Sequence, residues 1–414
     1  MKKLLWVGDA CVSSGFARAT HNILDTLRYV FDVQVLGLCY SGDPHDYPYK
    51  VYPAYSGGDA FGVGRVKDIA ESFKPDVIVI QQDPWNFPPY LEQLKGIDAP
   101  IVGHVAVDGK NCAGEKLQGL AACVFWTMFG EAEAKVGGYV GPTEVIPLGV
   151  DRNIYKPLDK IELKANIIGP VLAVQHLPAD SFVVGVVGRN QERKRLDLTI
   201  RYFAEWVRSH KVEDACLWCH VAPTGDQAYD MHQLVKYYGM GGRVFAPSIN
   251  PVYGLPEASM AKVINLFDVF FSTTQGEGFG LPALEAMACG VPPLLPDWSA
   301  YGDWARRGAT LVPCSSTAVT PHIGGAVLGG IMDEEKAIEK LHCLYAENGL
   351  RARLSRQALD LASQPEFQWP VIGDAWLKVL SDVLQNWPGL AVEAEKDAAV
   401  ANPFQSQAVA EVAS

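Results

Sequence analysis

The sequence contains no run of about 18 apolar residues, the length that a membrane-spanning helix requires. Cations are in deficit: 35 Lys and Arg stand against 47 Asp and Glu, a net charge of −12. Such a chain has no overall attraction for nucleic acid, although a local basic groove is compatible with a negative total. The first apolar stretch, Leu4-Leu5-Trp6-Val7, is cut short by Gly8-Asp9, too early for a secretory leader. It leads into Gly8-Asp9-Ala10-Cys11 and not into G-x-G-x-x-G, which argues against a dinucleotide-dependent oxidoreductase. No internal repeat of 20–50 residues occurs. Beyond Cys216 and Cys219 no second pair has zinc-ligand spacing, so no metal is expected. The nine cysteines are an odd, scattered set, the pattern of reduced thiols in a cytoplasmic protein. Cys216-Leu217-Trp218-Cys219-His220 matches the spacing of covalent haem attachment, but it sits in an apolar run and reads better as a buried strand.

The chain has the makings of a large folded core. Of its 414 residues, 49% are hydrophobic and only 20% charged, which excludes a disordered chain and suits two or three domains. Short apolar runs at 4–7, 32–38, 76–80, 100–107 and 121–127 alternate with helix-like segments. The alternation restarts with runs at 182–188, 215–222, 244–246, 269–272 and 291–295. Repeated strand–helix alternation predicts parallel sheets covered on both faces. The expected organisation is an α/β chain of two Rossmann-like domains: residues 1–165, then 166–369, with a helix at 370–388 crossing back to the first. Residues 393–414, rich in Ala, Glu, Val and Ser, are expected to form a flexible tail.

One segment concentrates the chemistry. Ser272-Thr273-Thr274-Gln275-Gly276-Glu277-Gly278-Phe279-Gly280-Leu281-Pro282-Ala283-Leu284-Glu285 reads as a strand end, a glycine turn and a helix start. Gly276, Gly278 and Gly280 permit close backbone approach to a ligand. Free N–H groups at the helix start favour an anion, and Pro282 suits the first turn. Glu277 and Glu285 would repel a diphosphate unless they face its sugars, so the arrangement suits hydroxyl recognition. An ordinary glycine turn with two solvated glutamates is the plainer alternative.

Glu277 and Glu285, in the frame E-G-F-G-L-P-A-L-E-A-M-A-C-G, resemble the signature of retaining GT-B glycosyltransferases of the family 4 (group 1) type. Val186-Val187-Gly188-Arg189-Asn190-Gln191-Glu192-Arg193-Lys194 resembles that family's strand, G-R turn and following lysine. Val145-Ile146-Pro147-Leu148-Gly149-Val150-Asp151, with Tyr155-Lys156-Pro157, resembles its interdomain segment. The resemblance implies two domains facing across a cleft, with a nucleotide diphosphate sugar as donor substrate on the second. It implies that Arg189 and Lys194 hold the diphosphate, that Glu285 accepts from the ribose hydroxyls, and that Glu277 lies near the transferred sugar. Gly278, Phe279, Gly280 and Leu281 match the turn whose N–H groups meet sugar and phosphate. Gly15 resembles the glycine at which the phosphate meets the first domain, although the usual glycine pair is here Ser14-Gly15. His104 resembles the family histidine beside the reaction centre. The implied catalytic set is Glu277, His104, Arg189 and Lys194. No cofactor is implied, and the missing Asp-x-Asp pair, which holds a cation in other glycosyltransferase folds, fits metal-independent transfer.

The acceptor side is less defined. Asp108, and Asp83 with Trp85 in Gln81-Gln82-Asp83-Pro84-Trp85-Asn86-Phe87, are acceptor-side candidates, and Gly42-Asp43-Pro44-His45-Asp46-Tyr47-Pro48-Tyr49 offers rings suited to stacking. The segments around Trp6–Asp9, Ser14–His21 and 42–49 resemble glycosyltransferases of tailed-phage genomes. That adds a hydroxymethylated pyrimidine in phage DNA, acted on in the host cytoplasm, to glycan, protein and small-molecule acceptors. A GT-B nucleotide-sugar epimerase, which needs no acceptor, and an inactive binding module are the competing classes.

Overall fold

The computed structural model describes residues 1–389 except 56, 225–227, 248–253 and 323–324. The expected tail at 393–414 lies outside the described residues.

The first domain is a seven-stranded parallel sheet. Its strands are β1 (Lys2–Asp9), β2 (Phe31–Leu38), β3 (Lys50–Pro53), β4 (Val77–Gln82), β5 (Ile101–Val105), β6 (Ala122–Phe125) and β7 (Thr143–Val145), in the order β3-β2-β1-β4-β5-β6-β7. Every residue of β4 and β6 is buried, which explains the apolar runs at 77–80 and 122–125; Gln81 and Gln82 end β4 as buried polar residues. The second domain is a six-stranded parallel sheet. It contains β8 (Phe182–Val187), β9 (Ala215–His220), β10 (Val244–Phe245), β11 (Val269–Phe271), β12 (Pro293–Pro296) and β13 (Thr310–Val312), in the order β10-β9-β8-β11-β12-β13. Cys216 and Cys219 are buried in β9, and burial pushes both thiols up to about 12, as befits inert core residues.

In each sheet the order reverses beside the first strand, between β1 and β4 and between β8 and β11. Ligands of such sheets bind outside the carboxyl ends of the strands at that reversal. Asp9 ends β1, Asp83 follows β4, and the basic run 189–195 follows β8, so the topology places these groups at the two switch points.

Helix α1 (Gly15–Leu27) follows β1. Its cap is Ser14, whose hydroxyl accepts from the Ala17 N–H at 2.9 Å and donates to Asp9 at 2.6 Å. Helix α2 (Leu281–Ala288) follows the glycine turn, and helix α3 (Trp369–Asn386) closes the described chain. Helix α3 packs along α1: Gly373 lies so close to Thr26 that an added Cβ would sit 2.2 Å from its hydroxyl. Trp376 buries its ring against Trp6, centroids 5.5 Å apart.

Five strands depart from the expected pattern. Lys50–Pro53, Thr143–Val145 and Thr310–Val312 are only three or four residues long, too short to show periodicity. The antiparallel hairpin of β14 (Cys314–His322) and β15 (Gly325–Met332) is rich in Ser, Thr and Gly and has no apolar run to announce it. It spans the two domains. Leu328 exchanges both backbone hydrogen bonds with Lys110 at 3.0 Å, and the Gly330 N–H donates to the Gln275 carbonyl at 2.8 Å.

Candidate active site

The glycine turn is shaped by contacts that leave no room for side chains. Gly280, at φ +90°, caps α2 in the left-handed region, and a Cβ there would lie 2.3 Å from the Tyr301 ring. At Gly276 a Cβ would lie 1.9 Å from the Asp108 backbone oxygen, so here the turn is pressed against the first domain. Gly278 packs against Ala106, Asp108 and Trp126 in the same way. The Phe279 ring is buried and stacks on Trp304 at 4.9 Å, whose indole N–H donates to the Phe279 carbonyl at 2.8 Å. A Cβ added at Gly15 would lie 3.5 Å from the Leu281 side chain, so the first residues of α1 and α2 are neighbours. A helix N-terminus attracts an anion.

Arg193, Lys194 and Glu277 form the charged centre. The Glu277 carboxylate accepts from Lys194 and, at 2.9 Å, from Arg193. Arg193 also donates to the Gly276 carbonyl at 2.8 Å and pairs with Asp108 of the first domain at 3.0 Å. Burial alone would raise the Glu277 carboxyl, but Lys194 and Arg193 outweigh it and hold the group at about 2. Because the folded value lies below the unfolded one, ionised Glu277 contributes stability at neutral pH, and that contribution is lost as pH falls from about 4.5 toward 2. Glu277→Gln is therefore expected to flatten the acid limb of a plot of melting temperature against pH. An acid limb identical to the parent's would contradict the ion-pair assignment.

Arg189, Lys194 and Glu277 line one cavity of about 10 Å³ with Gly188, Ser272, Pro282 and Tyr301. That is far below the volume of a small-molecule site, and the Lys194–Glu277 ion pair occupies the space. Arg189 lies close enough to the Asp9 carboxyl to lower it, against a larger upward push from burial. A wider groove of about 650 Å³, between helices Leu196–Ser209 and Glu334–Ala346, is an outer surface of mixed charge remote from this chemistry.

Glu285 is 2% exposed and is paired with Arg18 of α1, which also reaches Glu257 at 3.1 Å. The structure thus joins Glu285 to the first domain, one helical segment away from the Lys194–Glu277 pair. Asp108 is drawn into the site through Arg193. Asp83 faces the same charges: burial and the Asp108 carboxylate raise it to about 8, partly offset by Arg193. Trp85 lies half-buried in the short helix Pro84–Asn86 that follows.

His104 is fully buried, ringed by Trp6, Trp126 and Trp376 at 4.9–5.8 Å, and its Nε2 has no hydrogen-bond partner among the described residues. Its Nδ1 faces the Gln81 amide at 3.2 Å, the last link in a buried chain through Thr20 to the Trp6 indole. Burial lowers it to about 3, which keeps the imidazole neutral, with one ring nitrogen as donor and the other as acceptor. Arg193 and Arg18 were the residues missed. Arg193 was visible only as part of a basic run, and Arg18 gave no signal in an amphipathic helix.

Two Rossmann-like domains meet at neighbouring helix N-termini, a glycine turn and a basic cluster. Residues 172–318 match the family model "Glycosyl transferases group 1", so this part of the chain is similar to that family. It is 30% identical over 264 residues to a D-inositol 3-phosphate glycosyltransferase of Stackebrandtia nassauensis, an alignment covering 62% of this chain and 53% of that one. The chain spans about half the length of the curated relatives it matches. Among solved structures, the sucrose-phosphate synthase of Thermosynechococcus elongatus superposes with a TM-score of 0.72 at 16% identity, covering 93% of this chain and all of that one. Anabaena Alr3699/HepE in complex with UDP-glucose gives 0.68 at 19% identity, covering 92% and 100%. These likenesses establish the GT-B fold. Among the described residues no helix is long and apolar enough to cross a membrane.

Proposed function

We propose that this protein transfers a sugar from a nucleotide diphosphate sugar to an acceptor hydroxyl, with retention at the anomeric carbon and without a metal. The observation that carries the reading is Arg193 and Lys194 clamped on Glu277 below the glycine turn, inside the segment similar to group 1 glycosyltransferases. A diphosphate entering the cleft takes the place of the carboxylate against these cations, and the two helix N-termini face it. Glu277 is then free to accept from hydroxyls of the donor sugar, and Glu285 from those of the ribose once Arg18 yields it. As the C1–phosphate bond breaks, negative charge grows on the leaving oxygen. Arg189, Arg193 and Lys194 stabilise that charge in a closed site where electrostatics are strong, the work a metal does in other transferases. The acceptor oxygen bonds to C1 on the face the diphosphate leaves, and its proton passes to the leaving phosphate. A carboxylate held at about 2 by two cations is a weak nucleophile, which supports a binding and not a covalent role for Glu277.

The first test is thermal shift with UDP-glucose, then with other UDP-, GDP-, ADP- and TDP-sugars. A ligand of the folded state adds about 2.7 kcal/mol at 100 times its dissociation constant. The expected result is a shift with one donor, lost in Glu285→Ala and Lys194→Ala. A shift undiminished in both variants would place the donor elsewhere. Nucleotide release only in the presence of an acceptor separates transfer from epimerisation, and unchanged turnover in EDTA is the expected metal result.

A further inference from the structure

The hairpin β14–β15 belongs to neither parallel sheet. A two-stranded hairpin alone is marginal in water, so its place depends on what it docks against. The outer edge of β15 does the docking. The Ala326 carbonyl accepts from the Asn111 side-chain amide at 2.8 Å, Leu328 exchanges both backbone hydrogen bonds with Lys110 at 3.0 Å, and the Gly330 N–H donates to the Gln275 carbonyl at 2.8 Å. These three residues alternate along β15, as groups on one edge of a strand do. Asn111 and Lys110 belong to the first domain and Gln275 to the second, so one strand edge grips both. The fit is close on each side. A Cβ at Gly109 would lie 2.4 Å from the Leu328 carbonyl oxygen, and one at Gly329 would lie 2.7 Å from Gln275. The Lys110 ammonium covers the Trp298 ring at 5.2 Å.

The gripped residues adjoin the charged centre. Asp108 immediately precedes Gly109, and Gly276 immediately follows Gln275. The Gln275 N–H donates to the Arg193 carbonyl at 2.8 Å, and the Arg193 guanidinium pairs with Asp108 at 3.0 Å. The contacts close a ring that runs from the hairpin through Gln275, Arg193, Asp108 and Lys110 and back to the hairpin. Its links differ in kind. The Arg193–Asp108 link is an ion pair, which a diphosphate would compete for. The links through β15 are backbone hydrogen bonds and tight packing, which an anion leaves in place.

We propose that β14–β15 is a strap between the domains, holding the loop of Asp108 on the glycine turn when a donor diphosphate draws Arg193 away. The strap is argued from geometry alone; its part in catalysis rests on the transferase reading.

The test uses the full chain and two variants. Asn111 is exposed and stands at φ +63°, a conformation that Asp tolerates, so Asn111→Asp sets an acceptor against the Ala326 carbonyl without straining the backbone. Gly109 has no left-handed φ, so Gly109→Ala acts chiefly by pushing on Leu328. Amide hydrogen exchange and small-angle scattering are measured with and without UDP-glucose. Exchange at 109–111 and 326–330 is expected to quicken at least about fivefold, the size of one lost hydrogen bond. Exchange at the glycine turn, 276–280, is expected to quicken with it and the radius of gyration to grow, while β4 and β8 stay protected as in the parent. Faster exchange confined to 109–111 and 326–330, with the turn and the radius unchanged, would make the hairpin a local ornament and overturn the strap. Exchange and radius identical to the parent's in both variants would overturn it too. The thermal shift with UDP-glucose is expected to persist in both variants, because Arg189 and Lys194 belong to the second domain. If UDP-glucose and the other nucleotide sugars shift neither parent nor variants, the donor reading fails, while the exchange and scattering still decide the strap.

Discussion

Replacing Arg193 with alanine is expected to cost about 3–5 kcal/mol of stability, the usual penalty for removing one member of a buried ion pair. The guanidinium binds two carboxylates from different domains, Glu277 and Asp108, and the Gly276 carbonyl. Without it Lys194 is the remaining cation on Glu277, and Asp108 and Asp83 face each other with less compensation. Donor-dependent turnover should fall by at least about 100-fold, since a charged hydrogen bond contributes about 1.5–3 kcal/mol and the domain contact is lost as well. Arg193→Lys keeps the charge but not the fork and should fall between the two. Denaturant unfolding and steady-state kinetics on the three proteins decide the matter. Parental stability and turnover in Arg193→Ala would mean that the ion-pair network is incidental.

Gly276→Val is expected to abolish efficient transfer by a different route. The nearest neighbour of a new Cβ is the backbone oxygen of Asp108, at 1.9 Å, and a backbone atom cannot swing aside as a side-chain end can. The contact lies between domains, so relief comes by moving them apart. A misplacement of about 1 Å at a reacting centre is enough for about 100-fold loss. We expect kcat/KM to drop by at least that much, with the nucleotide-sugar thermal shift partly retained because the cations of the second domain remain. Loss of binding and of activity in equal measure would indicate collapse of the turn and not opening of the cleft.

Much of this site is legible in the amino-acid order. Local chemistry fixes the glycine turn: Gly280 needs a left-handed conformation, and Pro282 needs the first helical turn. The placement of Lys194 against Glu277 follows from two strand ends of one sheet. What escaped notice depends on tertiary contact. Arg193 and Lys194 are neighbours in the chain, and only the fold shows that the first bridges both domains. His104 lies near the end of an apolar strand, and Trp376, which packs on its ring, comes from a helix 272 residues later in the chain. The β14–β15 hairpin is held by partners at Lys110 and Gln275, and its own composition does not reveal it.

Helix α3 follows the second domain in the chain but packs on the first, so the polypeptide passes between domains twice. The two passages touch: the Val150 N–H donates to the Phe367 carbonyl at 2.9 Å, and Gly149 lies against Phe367 and Trp369. Side by side they form the spine of a book. A single linker would leave the covers free to twist and slide, whereas a doubled spine leaves chiefly the swing about its own line. Such a spine would return the facing groups of the two halves, Arg193 and Asp108 among them, to the same register on any closure.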